Sequence, residues 1–227
     1  MADESSLRQG LKTMGLSLTD RQIELLNAYL QLLSKWNRHF NLSAVRDPAA
    51  MVSRHLLDSL SLQPLLQDRI KTVHTVLDVG TGPGLPGIPL AICFPDIRFV
   101  LLDSNGKKTR FVFQAAFTLG LKNIEVENCR VEHYQSPAQI DIVVCRAFSS
   151  LADLIEKTRH LQGGSAGVAN AATAMIWLAM KGAYPKTEIN ALPEDIQLIS
   201  VDRVSIPFDP AERHLLTLQK TSQATSS

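Results

Sequence analysis

The most constraining feature of this chain is a short apolar run that leads directly into four closely spaced glycines. Residues 76–87 read Val-Leu-Asp-Val-Gly-Thr-Gly-Pro-Gly-Leu-Pro-Gly, and the next apolar run ends in an acid, Asp103. Glycine allows the backbone to turn tightly and to approach a ligand where a Cβ would clash. This pattern predicts a nucleotide-cofactor site in which Asp103 accepts hydrogen bonds from ribose hydroxyls.

Two cofactor classes fit this turn. The glycine spacing matches the dinucleotide fingerprint G-x-G-x-x-G, but a pyrophosphate needs free backbone N–H groups at the positive end of a helix. Pro83, Pro86 and Pro89 remove three such donors, and the Asp78 carboxylate disfavours a dianion beside it. The loop therefore favours a cationic cofactor without phosphate, S-adenosylmethionine, over NAD. Asp78 itself either contacts the methionine ammonium or braces the loop through backbone N–H groups.

Composition excludes several functional classes. With 227 residues, 45% of them hydrophobic and 20% charged, the chain is expected to form a soluble globular domain with an extension. The net charge of +1 means that any nucleic-acid surface must be local. Cys93, Cys129 and Cys145 lack metal-ligand spacing and are expected to be core residues in a reducing compartment. A polar N-terminus and the absence of a long apolar run predict a cytoplasmic location without a membrane segment.

The hydrophobic pattern divides the chain into three parts. Residues 1–70 are predicted to form an N-terminal helical extension, because apolar residues recur at spacings of three and four from Leu25 to Trp36 after a cap at Ser17 or Thr19. Residues 71–220 are predicted to form the cofactor-binding core, and residues 221–227 a flexible tail.

The core shows short apolar runs that alternate with helical stretches. The predicted strands are 75–79, 98–103, 124–128, 140–145 and 174–180, followed by 196–206 and 213–220. The first five favour a parallel sheet covered on both faces, and the last two an antiparallel pair at an edge after a turn at 207–210. This is an α/β fold with the Rossmann-like sheet of class I methyltransferases. Ligands bind there at the carboxyl ends of the strands, which adds residues 128–132 and Arg146 to the predicted site.

Basic residues form two local clusters. One contains Lys107, Lys108, Arg110 and Lys122, and the other, in the extension, contains Lys35, Arg38, Arg46 and Arg54. Each cluster is either a solvated helix face or a surface that follows an RNA backbone. Of the other candidate functional side chains, His55 and His214 are expected to make structural hydrogen bonds, and Trp36 to lie in the core.

Several motifs together resemble one family, the bacterial 16S ribosomal RNA guanine-N7 methyltransferases, also called the RsmG or glucose-inhibited-division-B family. The resemblance extends from about residue 20 to 220. The motifs are Trp36-Asn37-Arg38-x-x-Asn41-Leu42, Arg54-His55-Leu56-Leu57-Asp58-Ser59, the glycine loop, Leu102-Asp103-Ser104, Arg130-Val131-Glu132, Arg146-Ala147-Phe148 and Glu212-Arg213-His214.

The resemblance implies S-adenosylmethionine contacts at Gly80, Leu85, Val131, Glu132 and Arg146, without a metal. It also implies 16S rRNA, in the small ribosomal subunit or an assembly intermediate, as the partner. The segment 163–177 is longer and richer in alanine than the family pattern, so no role is carried over to Lys181.

Guanine N7 requires little of the protein, because it has an in-plane lone pair and no proton. No general base is therefore expected, and catalysis rests on alignment and exclusion of water. Two alternatives remain at this stage. One is a different enzyme, either an NAD(P)-dependent oxidoreductase or a small-molecule methyltransferase. The other is a non-catalytic RNA-binding module for ribosome assembly.

Overall fold

The computed structural model describes residues 4–146, 148–162 and 175–221. The alanine-rich segment that follows Gln162 and the predicted tail after Thr221 lie outside these residues.

Helices and strands alternate after an all-helical first third. The helices are α1 Glu4–Thr13, α2 Asp20–Phe40, α3 Pro48–Met51, α4 Asp58–Leu60, α5 Gln63–Gln67, α6 Gly87–Cys93, α7 Gly106–Leu119, α8 Leu151–Thr158 and α9 Lys186–Asn190, with a π-helical turn at Val52–Leu57 and 3₁₀ turns at Val131–His133 and Arg159–Leu161. The strands are β1 Thr75–Val79, β2 Arg98–Leu102, β3 Ile124–Glu127, β4 Ile142–Arg146, β5 Ile176–Lys181, β6 Ile196–Ile206 and β7 Asp209–Lys220.

Helix α2 begins where its capping signal predicts. The Thr19 hydroxyl accepts from the Gln22 N–H, and the Gln22 side chain accepts from the Thr19 N–H. This reciprocal pair satisfies two donors that the first helical turn leaves free. The helix ends at Asn41, which has a left-handed backbone with φ of 50°.

The strands form one seven-stranded sheet with the order β3-β2-β1-β4-β5-β7-β6. The first five are parallel, and β7 is antiparallel to both β5 and β6. The predicted α/β, Rossmann-like class is therefore confirmed. The predicted start of the last strand is wrong: β7 begins at Asp209, because Pro207 and Phe208 alone form the turn and Phe208 has φ of 67°.

Each face of the sheet packs into its own apolar cluster, because successive strand residues point to opposite faces. One cluster joins Val76 and Phe99 to the N-terminal helices, and the other joins Leu77 and Val100 to α8. The N-terminal helices thus share a core with the sheet. Trp36 is half-buried in that core with its ring centroid 5.6 Å from that of Phe111.

No helix among the described residues is both long and apolar enough to cross a membrane.

Candidate functional site: the glycine loop and two cavities beside β4

The loop between β1 and α6 depends on glycine at three positions. Gly80, Gly82 and Gly84 have φ of 68°, 59° and 95°, a region that side chains with a Cβ adopt at a cost. At Gly84 an added Cβ would also lie 2.5 Å from Ile88 Cδ1. The conformation of the loop therefore requires glycine at these three positions.

Every backbone N–H of this loop already has an acceptor inside the protein. Pro83 and Pro86 have none to offer, and the other donors are satisfied as follows. Gly80 and Thr81 donate to Leu102 O, Gly82 to Asp103 Oδ2, Gly84 and Leu85 to Thr81 O, Gly87 to Asp78 Oδ2 and Ile88 to Gly84 O. A pyrophosphate would have to break several of these bonds. The geometry thus excludes the phosphate cradle that a dinucleotide needs.

Asp78 braces the loop, which was one of its two predicted roles. Its buried Oδ2 accepts from Thr81 Oγ1 at 2.6 Å and from the Gly87 N–H at 2.9 Å. Burial raises the pKa of Asp78 to about 6, although those two hydrogen bonds and Arg146 oppose the shift. Oδ1 has no hydrogen-bond partner among the described residues. Asp78 is fully buried beneath the loop and lines neither of the two cavities described below.

Asp103 stands at the mouth of an open cavity of about 150 Å³ at the carboxyl ends of β1, β2 and β3. Its Oδ2 accepts from the Gly82 N–H, and its Oδ1 accepts from the Asn105 N–H at 2.8 Å. These bonds fix the carboxylate against the glycine loop. The cavity is lined by Val79, Gly80, Leu102, Asp103, Ser104, Cys129, Arg130, Val131, Glu132, Phe148 and Lys157.

Four of the predicted cofactor residues therefore meet in one cavity: Gly80, Asp103, Val131 and Glu132. Leu85 does not line it, because its side chain is buried in the core beneath the loop. The three cysteines are free, as expected. Only Cys145 is fully buried, whereas Cys93 and Cys129 are half-buried and pack against the core, and Cys129 also lines this cavity.

Arg146 ends β4 and lines a second cavity, of about 430 Å³, instead of the first. Its Nη1 donates to the Arg54 carbonyl at 2.9 Å and to Asp58 Oδ2 at 3.2 Å. Met180 and Lys181, at the end of β5, lie in the same wall. Lys181 forms an ion pair with Glu188 at 2.8 Å, which gives it a structural partner.

Asp58 and Asp209 bind three arginines in an alternating network. Arg213 Nε donates to Asp58 Oδ1 at 2.7 Å, and Arg213 Nη2 to Asp209 Oδ2 at 3.2 Å. Arg54 Nε lies 3.5 Å from Asp209 Oδ2. Both carboxylate side chains are almost fully buried, with 4% and 2% exposed, so each depends on its guanidinium partners.

Neither Asp58 nor Arg213 is among the site residues predicted from the sequence. Both belong to the family motifs, but they are 155 positions apart, and only their opposite charges indicate a pairing.

The two histidines make structural hydrogen bonds, as predicted. His55 Nε2 lies 2.9 Å from Ser43 Oγ, and His214 Nδ1 lies 2.7 Å from Gly182 O. Burial, followed by the Arg146 charge, lowers the pKa of His55 to about 4. His55 is therefore neutral throughout the neutral pH range.

The predicted RNA-binding residues fall in three places. Lys107 and Arg110 are exposed on α7, whereas Lys108 Nζ lies 3.9 Å from Asp103 Oδ2. Arg38 lines two adjoining cavities of about 240 and 380 Å³ on the N-terminal helices. Arg54 instead lines the 430 Å³ cavity beside Arg146.

Across the described residues, no group of three His, Cys, Asp or Glu side chains is arranged to hold a metal ion.

The strand order, the phosphate-excluding glycine loop and the cavity at Asp103 define the class I methyltransferase fold. A solved structure of an S-adenosylmethionine-dependent methyltransferase from Aquifex aeolicus has this fold, with a TM-score of 0.54 and 16% sequence identity. The match covers 77% of this chain and 99% of that one.

The chain belongs to the family described as rRNA small subunit methyltransferase G, whose model matches residues 22–216. A protein named ribosomal RNA small subunit methyltransferase G from Stutzerimonas stutzeri is 50% identical over 216 residues, covering 95% of each chain. A relative of the same name from Ectopseudomonas mendocina is 51% identical over 215 residues, again covering 95% of each. The protein is thus a methyltransferase, and the resemblance found in the sequence is confirmed.

Proposed function

We propose that this protein transfers the methyl group of S-adenosylmethionine to N7 of a guanine in the 16S rRNA of the small ribosomal subunit or its assembly intermediate. The observation that carries the choice of cofactor is the glycine loop, whose N–H groups are all occupied. A cofactor with a phosphate has no donors there. A cofactor with an ammonium and a sulfonium would instead lie above the buried Asp78 carboxylate, whose Oδ1 has no hydrogen-bond partner among the described residues.

The cofactor would lie along the carboxyl ends of β1 to β4. The Asp103 carboxylate, whose side chain is 10% exposed and lines the cavity, would accept from the ribose hydroxyls, with Val131 and Glu132 beside the adenine. Gly80 would allow close approach to the backbone. Leu85, being buried, would act by supporting the loop, and Arg146 would meet the methionine end from the neighbouring cavity.

Methylation at N7 would need alignment more than proton transfer. N7 carries no proton, so the methyl group can pass in line from sulfur to nitrogen while the positive charge moves from the sulfonium to the imidazole ring. His55, a buried imidazole that lines the same cavity as Arg146, is neutral and already bonded to Ser43. No metal is required by this chemistry.

The RNA would be held by basic side chains around the two cavities. Lys107 and Arg110 on α7 and Arg38 and Arg54 on the N-terminal helices are exposed, while Lys108 lies beside Asp103. With a net charge of only +1, such local clusters would have to supply the attraction to phosphates. The ribosomal substrate would place the reaction in the cytoplasm.

The function is tested by incubating the protein with labelled S-adenosylmethionine and unmodified small subunits. Borohydride reduction followed by aniline cleavage should locate one N7-methylguanosine. Methylation of adenine, cytosine or a ribose would overturn the assignment. Calorimetry of Asp103→Ala should show cofactor affinity weakened by about 1–3 kcal/mol, the usual effect of removing a charged acceptor.

The alternatives are distinguished by the same samples. An oxidoreductase would bind NAD more tightly than S-adenosylmethionine, and a non-catalytic assembly module would bind subunits without transferring label. Neither is favoured by the loop geometry or by membership in a methyltransferase family.

A further inference from the structure

The two cavities lie side by side at the carboxyl edge of the parallel strands. β1, β2 and β3 end at the 150 Å³ cavity, while β4 and β5 end at the 430 Å³ cavity. Because β1 and β4 are adjacent in the sheet, a methyl donor over β1 faces a ligand over β4. The larger cavity also falls within the range of about 300–1,000 Å³ that is typical of small-ligand sites.

A π-helical turn places the charged wall of the larger cavity. Within Val52–Leu57 the helix widens, so that Arg54 is exposed while His55 and the following Asp58 are buried. Such turns are rare and occur frequently at functional sites. The turn brings the Arg54 carbonyl to Arg146 and the Asp58 carboxylate between Arg146 and Arg213.

Arg213 is held at all three of its nitrogens. Nε donates to Asp58, Nη2 to Asp209 and Nη1 to the Glu212 carbonyl at 2.8 Å. Its side chain is 22% exposed and lines the cavity. Three arginines and two aspartates leave the network with a net positive charge, which suits a nucleotide phosphate or a carbonyl oxygen.

Guanine presents a particular difficulty to an arginine-lined site. A free guanidinium binds guanine through O6 and N7 together, which is the commonest specific contact of this pair. An arginine on N7 would occupy the lone pair that must attack the methyl group. A guanidinium whose nitrogens already donate to carboxylates can still offer a single N–H to O6 and leave N7 open.

We propose that the 430 Å³ cavity takes the acceptor guanine nucleotide and that Asp58 is a positioning residue, which fixes Arg146 and Arg213 so that they contact the nucleotide without covering N7. This inference rests on the proposed function and deepens it. Asp58 acts through the arginines and does not itself touch the base.

Asp58→Asn tests the role of the carboxylate with nearly the same side-chain shape. An amide offers one oxygen to two arginines, so at least one guanidinium loses its bond to residue 58 and is free to turn about its remaining contacts. Single-turnover methylation of unmodified small subunits should show kcat reduced by about a hundredfold, as expected for a misplaced reacting group. The KM for the subunit should not rise, because a released arginine still binds guanine. Cofactor affinity by calorimetry should fall much less than kcat, because Gly80, Asp103, Val131 and Glu132 line the other cavity.

Asp202→Asn is the matched control, since Asp202 is exposed on β6 and bonds only Ser200 among the described residues. It should behave as the wild type. A wild-type kcat for Asp58→Asn would overturn the inference. So would a parallel loss of cofactor affinity and subunit affinity, which marks a general structural role.

Arg213→Lys provides a second test if Asp58→Asn is not properly folded, which the absence of a cooperative unfolding transition would show. Lysine keeps the charge but cannot be held in a plane by two carboxylates. A reduced kcat with unchanged cofactor affinity supports the inference, and a wild-type kcat overturns it. A wild-type protein that methylates no guanine N7 overturns the proposed function itself, whereas an active wild type with unaffected variants overturns only this inference.

Discussion

At the scale of single residues, the site is governed by buried charges. Asp78 is fully buried beneath the glycine loop, and Asp58 and Asp209 are buried among arginines. The two kinds of burial have opposite consequences. Asp58 and Asp209 have cationic partners in contact, whereas Asp78 has only neutral donors and retains an unmet oxygen.

Asp78 should make stability depend on pH. Its pKa is raised to about 6 in the fold, so the folded protein binds this proton more tightly than the unfolded chain. The resulting stabilisation is fully present below the ordinary aspartate pKa and is lost as pH rises through about 6. Relative to Asp78→Asn, the wild type should lose about 3 kcal/mol of unfolding free energy between acidic and neutral pH. Urea titrations of both proteins measure the difference, and a flat difference would contradict the assignment.

His55 should not control the pH dependence of methyl transfer. Its pKa of about 4 keeps it neutral, and guanine N7 is unprotonated in the same range. At saturating RNA and cofactor, the single-turnover rate should vary little between about pH 6.5 and 8. His55→Ala and His214→Ala should lower the rate without changing the shape of that profile. A steep profile that His55→Ala abolishes would show that a proton transfer had been missed.

At the scale of elements, the carboxyl edge of the sheet, where the cofactor is proposed to bind, depends on how closely α6 approaches β2. A Cβ added at Gly87, the first residue of α6, would lie 2.1 Å from Leu101 Cδ2 and 2.8 Å from Asp78 Oδ2. Both neighbours are fully buried and have little room to move. The fourth glycine of the loop therefore serves helix–sheet packing, in contrast to the three that set the turn.

Gly87→Ala should destabilise the fold by about 1–3 kcal/mol through overpacking. Gly182→Ala is the control, because the nearest atom to its added Cβ is Glu212 O at 3.9 Å. The control should change the unfolding free energy by less than about 0.5 kcal/mol. Urea unfolding monitored by circular dichroism measures both, and equal stability of the two variants would argue against close packing at α6.

Helix α7 should contribute to RNA binding through its exposed first turns. Replacing Lys107 and Arg110 with glutamate should lower the affinity for RNA. The slope of log affinity against log salt concentration should become shallower by roughly 1.4–1.8, about 0.7–0.9 per lost phosphate contact. Acidic residues near a helix N-terminus interact favourably with the helix dipole, so the two substitutions should not destabilise the fold. Lys108 is left in place because of its contact with Asp103.

The control for α7 reverses the charges of Lys71 and Lys220. Both are exposed near the amino ends of the parallel strands, away from the carboxyl edge. Filter binding at several salt concentrations should give the control the wild-type slope, and calorimetry should give all three proteins the same cofactor affinity. An unchanged slope for the α7 variant would assign its charges to a solvated helix face.

At the scale of the whole molecule, the sequence was sufficient for the order of elements. The predicted strands agree with β1 to β6 within about two residues, because buried parallel strands appear as short apolar runs between helical stretches. The cap at Thr19, one of the two predicted positions, also follows from local chemistry, since caps involve residues close in sequence. The last strand was placed too late because its first residues are polar and pair only within a hairpin.

The sequence by itself determined the sheet and the glycine loop, because backbone conformation and missing N–H groups are local properties. It only favoured a cofactor without phosphate, since the fold supplies the acceptors that occupy the remaining N–H groups. The sequence also predicted that Gly80, Asp103, Val131 and Glu132 meet, whereas the tertiary structure alone decided which side chains line the second cavity. It brought Arg54, Asp58 and Arg213 together from distant parts of the chain, and it turned Arg146 toward Asp58 and away from the Asp103 cavity. The physical reason is that a buried charge must find its counter-charge in space, and neither spacing nor periodicity records which one it finds.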